Sequence, residues 1–336
     1  MWPRNSRTTD SPAAAKSADF RFRLVPRPAA GALLLLLAAI APLHATDFFV
    51  TISGLGGTPE YDGQFAKWAT DLDKALEKNG PGVQIKGLSG NGATIEAIKR
   101  TLAQIGNTAR PEDSLAIFLI GHGTFDGTDY KFNLPGPDIT AAELARLLNR
   151  IPANRQLVVN MTSCSGASIP WLVRKGRIVI TATKSGNEKN ATVFPRYWID
   201  GLNDPSADTD KNGTISTLEL YRYTAQKTAA YFDSEKLLAT EHPTLTDTGN
   251  AAAARNPGAE NGQGLLAARF AVIRPETESA GDIAPDKRKL LAKKEDLEAR
   301  IDRLKYQKAV LSPEQYRQQL TALLLELSRT QAEIDQ

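Results

Sequence analysis

From Asp47 onward the chain alternates between two kinds of apolar pattern. One kind is short, continuous and rich in aliphatic or β-branched residues, as in 47–54, 83–87, 114–120, 156–163 and 177–183. Each run is stopped by Gly, Ser or a turn, which predicts buried strands rather than helices. The other kind repeats every three or four positions: Phe65, Trp68, Ala69, Leu72 and Leu76, then Ile95, Ile98, Leu102 and Ile105, then Leu144, Leu147 and Leu148. That spacing lines one face of an α-helix. Thr140 with Glu143 resembles a capping box opening the third helix. Residues 268–273 make a candidate further strand. The alternation predicts an α/β fold, a mainly parallel sheet of about six strands with helices on both faces.

The pattern changes near the end. Residues 249–264 are rich in Ala, Asn and Gly and read as a mobile loop, and 276–285 reads as a linker. Beyond it Leu290, Leu297, Ile301 and Leu304 form one stripe, and Tyr316, Leu320, Leu323, Leu324, Leu327 and Ile334 form another. Ser312-Pro313-Glu314-Gln315 between them is a helix start, with Ser as cap and Pro in the first turn. Residues 286–336 are thus expected to form an α-helical hairpin. It either packs on its own domain or pairs with another chain in coiled-coil fashion.

At the other end, an apolar run over 30–40 follows Arg21, Arg23 and Arg27 and precedes small residues near Ala45. This is the layout of a cleavable export signal over 1–45, with a long polar lead. The alternative is an uncleaved anchor, although the run is shorter than the about 20 residues of a membrane span. The whole chain carries a net charge of +3. Residues 1–45 hold Arg4, Arg7, Lys16, Arg21, Arg23 and Arg27 against Asp10 and Asp19, so removing them leaves −1. The basic excess belongs to the export segment and gives no argument for nucleic acid. Export places the protein in a periplasmic or secreted setting where paired cysteines form disulfides. Cys164 is the single cysteine, so it stays free or reacts; the alternative is an inert buried residue.

Candidate chemistry concentrates at two strand ends. The run 114–120 leads into Gly121-His122-Gly123, and the run 156–163 leads into Cys164-Ser165-Gly166. Ligands bind beyond the C-terminal ends of strands in open α/β sheets. A thiolate is a strong nucleophile, and a nearby imidazole can activate it. Gly54-Leu55-Gly56-Gly57 lacks dinucleotide spacing and reads as a strand-to-helix turn. No Gly-x-Ser-x-Gly elbow supports a serine hydrolase. His44 falls in the export segment, and His242 precedes Pro243 in a loop.

An apolar strand ending in His-Gly, a second ending in Ser-Cys-Ser-Gly with Cys 42 positions after His, and a fifth strand leading into Thr181-Ala-Thr-Lys-Ser-Gly186 form an ordered set. The set resembles the caspase–legumain clan of cysteine peptidases, in particular bacterial legumain-like members, over roughly 46–275. The resemblance implies a caspase-like catalytic domain in which Cys164 is the nucleophile and His122 the general base or acid. It implies that the N–H of Gly123, with that of Cys164, forms an oxyanion hole, a glycine suiting a close substrate carbonyl. It implies that Thr183, Lys184 and Ser185 wall the first substrate pocket; the alternative is a solvated turn. Legumains carry Asp immediately before the His, where this chain has Gly121. No basic residue after the first strand matches their asparagine pocket, so that specificity is not carried over. The implied activity is endopeptidase cleavage of peptide or protein substrates. The alternatives are a transpeptidase using the same acyl-enzyme and a catalytically silent envelope protein that binds partners through its hairpin.

A second motif stands apart. Asp208, Asp210, Asn212, Gly213, Thr214, Ile215, Ser216 and Glu219 fit an EF-hand loop over 208–219. Calcium takes about six to eight oxygens, and alternate positions of a tight loop turn theirs inward. Asp208, Asp210 and Asn212 are expected to supply side-chain oxygens, Thr214 its carbonyl, Ser216 a direct or water-bridged ligand, and Glu219 both carboxylate oxygens. Gly213 takes the sharp turn and Ile215 points to the core. The expected role of Ca2+ is structural; the alternative is a metal-free acidic loop.

Overall fold

In a computed structural model of the chain, the described residues are 45–274 and 285–335. The export segment expected over 1–45 and the linker expected over 276–285 lie outside them, save for one terminal residue of each. The chain runs β1 (Asp47–Ser53), α1 (Pro59–Leu76), β2 (Val83–Leu88), α2 (Ile95–Thr108) and β3 (Ser114–Ile120). A small antiparallel sheet follows, made of β4 (Gly123–Phe125), β5 (Tyr130–Phe132) and β6 (Ile139–Thr140). Next come α3 (Ala141–Leu148), β7 (Arg155–Asn160), α4 (Ile169–Leu172), β8 (Arg177–Thr181) and α5 (Phe194–Asn203). The rest is β9 (Ile215–Ser216), α6 (Thr217–Ser234), β10 (Thr244–Thr246), β11 (Ala271–Ile273), α7 (Pro285–Gln307) and α8 (Pro313–Ile334).

The helices start where side chains can satisfy their free N–H groups. Thr58, Thr94 and Thr140 cap α1, α2 and α3 by accepting from Tyr61, Ala97 and Glu143 N–H. Ser216 and Ser312 form full capping boxes with Glu219 and Gln315. Such caps each stabilise a helix by about 1 kcal/mol.

The main sheet has the order β10-β8-β7-β3-β1-β2. Its strands are parallel except β10, which runs antiparallel to β8. The candidate strand over 268–273 is not part of it: β11 pairs antiparallel with β9, away from the main sheet. The sixth place belongs to β10, whose three residues carry too short a pattern to be read from sequence. Both faces of β3 are covered, which is why its sequence is continuously apolar. Ala116, Phe118 and Ile120 pack in the layer that holds Phe65, Trp198 and Leu220. Leu115, Ile117 and Leu119 pack in the opposite layer, with Ile98, Leu102 and Leu144.

The stretch read as a mobile loop is pinned. The Asp247 carboxylate accepts from the N–H of Gly264, Leu266 and Ala267 at 2.8, 2.7 and 3.0 Å. The hairpin α7–α8 has a small core of Leu297, Ile301, Leu304 and Leu323. It also touches the α/β body: Arg269 Nη2 donates to Ala299 O and Tyr306 Oη to Gln263 O, both at 2.7 Å.

Candidate functional site

The sheet register gathers four loops at one edge. Ser53 of β1 lies opposite Ile120 of β3, Leu119 opposite Asn160 of β7, and Asn160 opposite Thr181 of β8. All four strands run the same way, so residues 54–57, 121–123, 161–164 and 182–193 leave the sheet side by side at its C-terminal edge.

His122 leaves β3 beside the first turn of α1. Its ring meets Tyr61 and Phe65 edge-on, at centroid distances of 4.8 and 5.0 Å. Burial lowers its pKa, while a hydrogen bond to the Gly56 backbone and the Asp62 charge act the other way. A bond that favours the protonated ring is one in which the ring N–H donates to the Gly56 carbonyl. The net result is a neutral imidazole near pH 7.

Cys164 leaves β7 in a left-handed conformation, with φ 56° and ψ 7°. For a residue with a Cβ this costs about 1 kcal/mol or more, and it persists only where neighbours hold it. The holders are visible: Cys164 N–H donates to Glu188 O at 2.8 Å, and Ala167 N–H donates to Cys164 O at 3.0 Å. The thiol is buried, which pushes its pKa up; the Lys189 charge and the Phe125 N–H pull it down. The resting group is a protonated thiol with two features that favour its thiolate.

The His and Cys loops are joined through Ser163. Its hydroxyl accepts from Gly123 N–H at 3.1 Å and donates to Gly123 O at 2.9 Å. The same contacts bear on the two N–H groups expected as an oxyanion pair. Gly123 N–H is held by Ser163 Oγ and Cys164 N–H by Glu188 O, so both donors have internal acceptors. The reason for glycine at 123 differs from that expected. A Cβ there would lie 2.5 Å from Ser163 O and 2.6 Å from the Tyr130 ring. The glycine permits close packing of β4 on the Cys164 loop, inside the protein.

Thr183, Lys184 and Ser185 divide between two roles. Thr183 is fully buried; its hydroxyl accepts from Gly166 N–H and bonds Ser165 Oγ, each at 3.0 Å. It supports the Cys164 loop from behind. Lys184 and Ser185 line an open groove of about 460 Å³, together with Phe125, Gly166, Pro170 and Trp171. Trp171 is half exposed there.

The 182–193 loop is anchored by residues the sequence did not single out. The Glu188 carboxylate meets His242 Nδ1 and accepts from Lys184 N–H at 2.9 Å. Glu241, next in the chain to His242, accepts from Val193 and Phe194 N–H at 2.6 and 3.1 Å. Thus His242 belongs to the site's rim, although it is no partner of Cys164. No motif marks these residues; only the placement of β10 beside β8 brings 241–242 to this edge.

The 208–219 loop lies elsewhere, between α5 and α6. Single carboxylate oxygens of Asp208, Asp210 and Glu219 all lie within 4.8 Å of one another. Burial, then the Glu219 charge, pushes the Asp210 pKa up. Converging carboxylates of that kind fit a divalent cation. Gly213 has φ 82°, Ile215 is buried, and Asn212 Oδ1 accepts from Thr214 N–H at 2.7 Å. The Ser216 hydroxyl donates to Glu219 Oε2 at 2.7 Å and accepts from Glu219 N–H at 3.2 Å, so it also caps α6.

No family model matches the chain, and no curated protein matches it. Among solved structures it is similar to a Geobacter sulfurreducens protein, at 11% identity over 60% of this chain and 92% of that one, with a TM-score of 0.41. It is also similar to the Drosophila initiator caspase Dronc, at 11% identity over 61% of this chain and 80% of that one, with a TM-score of 0.42. Caspase-1 from Spodoptera frugiperda is a third, at 12% identity over 61% and 86%, with a TM-score of 0.42. At this distance, any statement about chemistry rests on the site's own residues.

Proposed function

We propose that the chain is a cysteine-type peptidase in which Cys164 attacks a peptide carbonyl with His122 as general base. The observation that supports it most is the strained left-handed Cys164 at the C-terminal sheet edge, bolted to the His122 loop through Ser163 and Gly123. Strain kept at a lone nucleophile is costly, and function is the usual reason for retaining it. In the attack, Sγ bonds to the carbonyl carbon and its proton passes to the neutral imidazole. The C–N bond then breaks, and the imidazolium gives that proton to the leaving amine. Water, activated by the same imidazole, hydrolyses the acyl-enzyme. Phe125 N–H and Lys189 favour the thiolate as it develops. Cys164 N–H becomes an oxyanion donor once substrate displaces the Glu188 carbonyl, so the 182–193 loop shifts on binding. The groove beside Trp171 receives a peptide side chain.

A second reading has its own support. The buried thiol and the capped Cys164 N–H also suit a silent protein that binds partners through its hairpin. Hydrolysis of a fluorogenic peptide library with the thiol reduced separates the two. The peptidase reading expects cleavage that is lost in Cys164→Ala and in His122→Ala. No cleavage by wild type, with iodoacetamide labelling only in denaturant, decides for the silent protein. An amine that intercepts the acyl group in place of water would show a transpeptidase in the same assay.

For the 208–219 loop we propose a structural Ca2+ held by Asp208, Asp210, Asn212 and Glu219, with the Thr214 carbonyl. Calcium added to chelated protein should raise the melting temperature, because a ligand bound only to the folded state stabilises it. The 1–45 segment would place this activity outside the cytoplasm; N-terminal sequencing of exported protein tests cleavage after Ala45.

A further inference from the structure

The turn after β1 contains only one side chain beyond glycine, so its backbone must be fixed from outside. Gly54 N–H donates to Ile120 O at 2.8 Å and Leu55 N–H to Asn133 O at 2.9 Å. Gly56 N–H donates to Asp62 Oδ1 at 2.7 Å, the side-chain anchor in this series. The fit is tight: a Cβ on Gly56 would collide with Asp62 N and the Tyr61 carbonyl carbon. The His122 ring packs against Tyr61 and Phe65 on the same helix as Asp62, and the Gly56 backbone and the Asp62 charge both favour its protonated form.

We infer that Asp62 is the positioning residue of the His122 base: by holding the Gly56 N–H it sets the turn at Gly56, and the Gly56 carbonyl, in the next peptide unit, then fixes the tautomer and tilt of the imidazole. The inference rests on the peptidase reading of His122. Its physical content is a relay of two hydrogen bonds. With one ring N–H given to the Gly56 carbonyl, the other nitrogen is left unprotonated, and it is the one that must take the thiol proton. Tyr61 and Phe65, from the same helix, clamp the ring edge-on and stop it from rotating. Asp62 is the charged group acting on the ring; Tyr61 is the other titratable neighbour in contact with it. Asp62 itself is exposed, so water screens its charge and the hydrogen bond matters more.

Two variants and two readouts test this. Asp62→Ala removes the acceptor, and kcat for peptide hydrolysis should fall about 10- to 100-fold with KM nearly unchanged, the scale of a misplaced catalytic group. Asp62→Asn keeps an oxygen that can accept the same N–H and should recover most of the loss. The ring titration of His122, followed by NMR in the full chain, should move to lower pH in Asp62→Ala and less far in Asp62→Asn. With His44, His122 and His242 as the three histidines, His122→Ala assigns its signal. Wild-type kcat in Asp62→Ala, or an Asn variant no better than the Ala variant, overturns the relay. So does an unmoved His122 titration in Asp62→Ala. If wild type cleaves no peptide, it is the base reading that fails, and the titration still decides whether Asp62 holds the ring.

Discussion

Cys164 is subject to opposing influences, and each can be removed separately. Burial holds it as a thiol, whereas Lys189 and the Phe125 N–H favour the thiolate. Lys189→Ala should therefore slow iodoacetamide labelling at pH 7.5 and move its pH–rate curve to higher pH. His242→Ala frees the Glu188 carboxylate, loosens the loop capping Cys164 N–H and should speed labelling. Unchanged rates in both variants would mean that the loop does not govern access. A second titration concerns stability. Burial raises the Glu241 carboxyl from 4.5 to about 7, against the pull of the Val193 and Phe194 N–H bonds. A carboxyl with a raised folded-state pKa binds more protons folded than unfolded, so its contribution is present below about 4.5 and is lost as pH rises through about 7. The loss is on the order of 3 kcal/mol as an upper figure. Melting curves of wild type should fall across that window relative to Glu241→Gln, which cannot titrate. Parallel curves would show that Glu241 stays ionised.

At the scale of elements, β4 and the Cys164 loop form one unit. Gly123→Val places carbon against Ser163 O and the Tyr130 ring, so it should destabilise the fold by about 1–3 kcal/mol as well as disturb the site. Lost activity in that variant alone would therefore not separate enzyme from scaffold, and chemical denaturation must accompany it. The α6 start has a double duty: Glu219 closes the capping box and contributes to the carboxylate cluster. Ser216→Ala should cost about 1 kcal/mol with or without calcium. Asp210→Asn lies outside the box and removes a like charge. In chelated protein it should raise the melting temperature slightly, and it should abolish the rise that calcium produces. A calcium response retained in Asp210→Asn would exclude the cluster as the site.

For the whole molecule, the hairpin is the removable part. It has its own core and meets the α/β body through Arg269–Ala299 and Tyr306–Gln263. Deleting 286–336 exposes those partners, each hydrogen bond being worth about 1 kcal/mol, so stability should drop modestly while peptide cleavage survives. The face of α8 that carries Leu324 and Leu325 is about half exposed. Sedimentation of full-length and truncated chains tests whether that face associates; identical monomeric behaviour would leave the hairpin as a packing element only.

Local pattern was enough for part of this. The continuous runs became β1, β3, β7 and β8, and the three-and-four spacing became α1, α2 and α3. Periodicity is local and reports which faces are buried. It also set His122 and Cys164 each past a strand, because a strand's end is visible in its own sequence; that β3 and β7 are neighbours comes from the sheet. The meander β4–β6 was less legible, although Asp126-Gly127 followed by Tyr130-Lys131-Phe132 marks a turn and an alternating strand. Other decisions belong to the tertiary structure. The β10 strand has three residues and takes its place only by pairing with β8. His242 lies 54 positions from Glu188, and that pair forms because β10 delivers 241–242 to the active edge. Asp62 looks like any charged residue in a helix's first turn until folding sets it under Gly56 and beside His122. What the Gly123 and Cys164 N–H groups bond to, Ser163 Oγ and the Glu188 carbonyl, also belongs to the tertiary structure, since a backbone N–H carries no mark in sequence of its acceptor. Sequence determined which residues lie at strand ends; packing determined which of them are held closed, and by what.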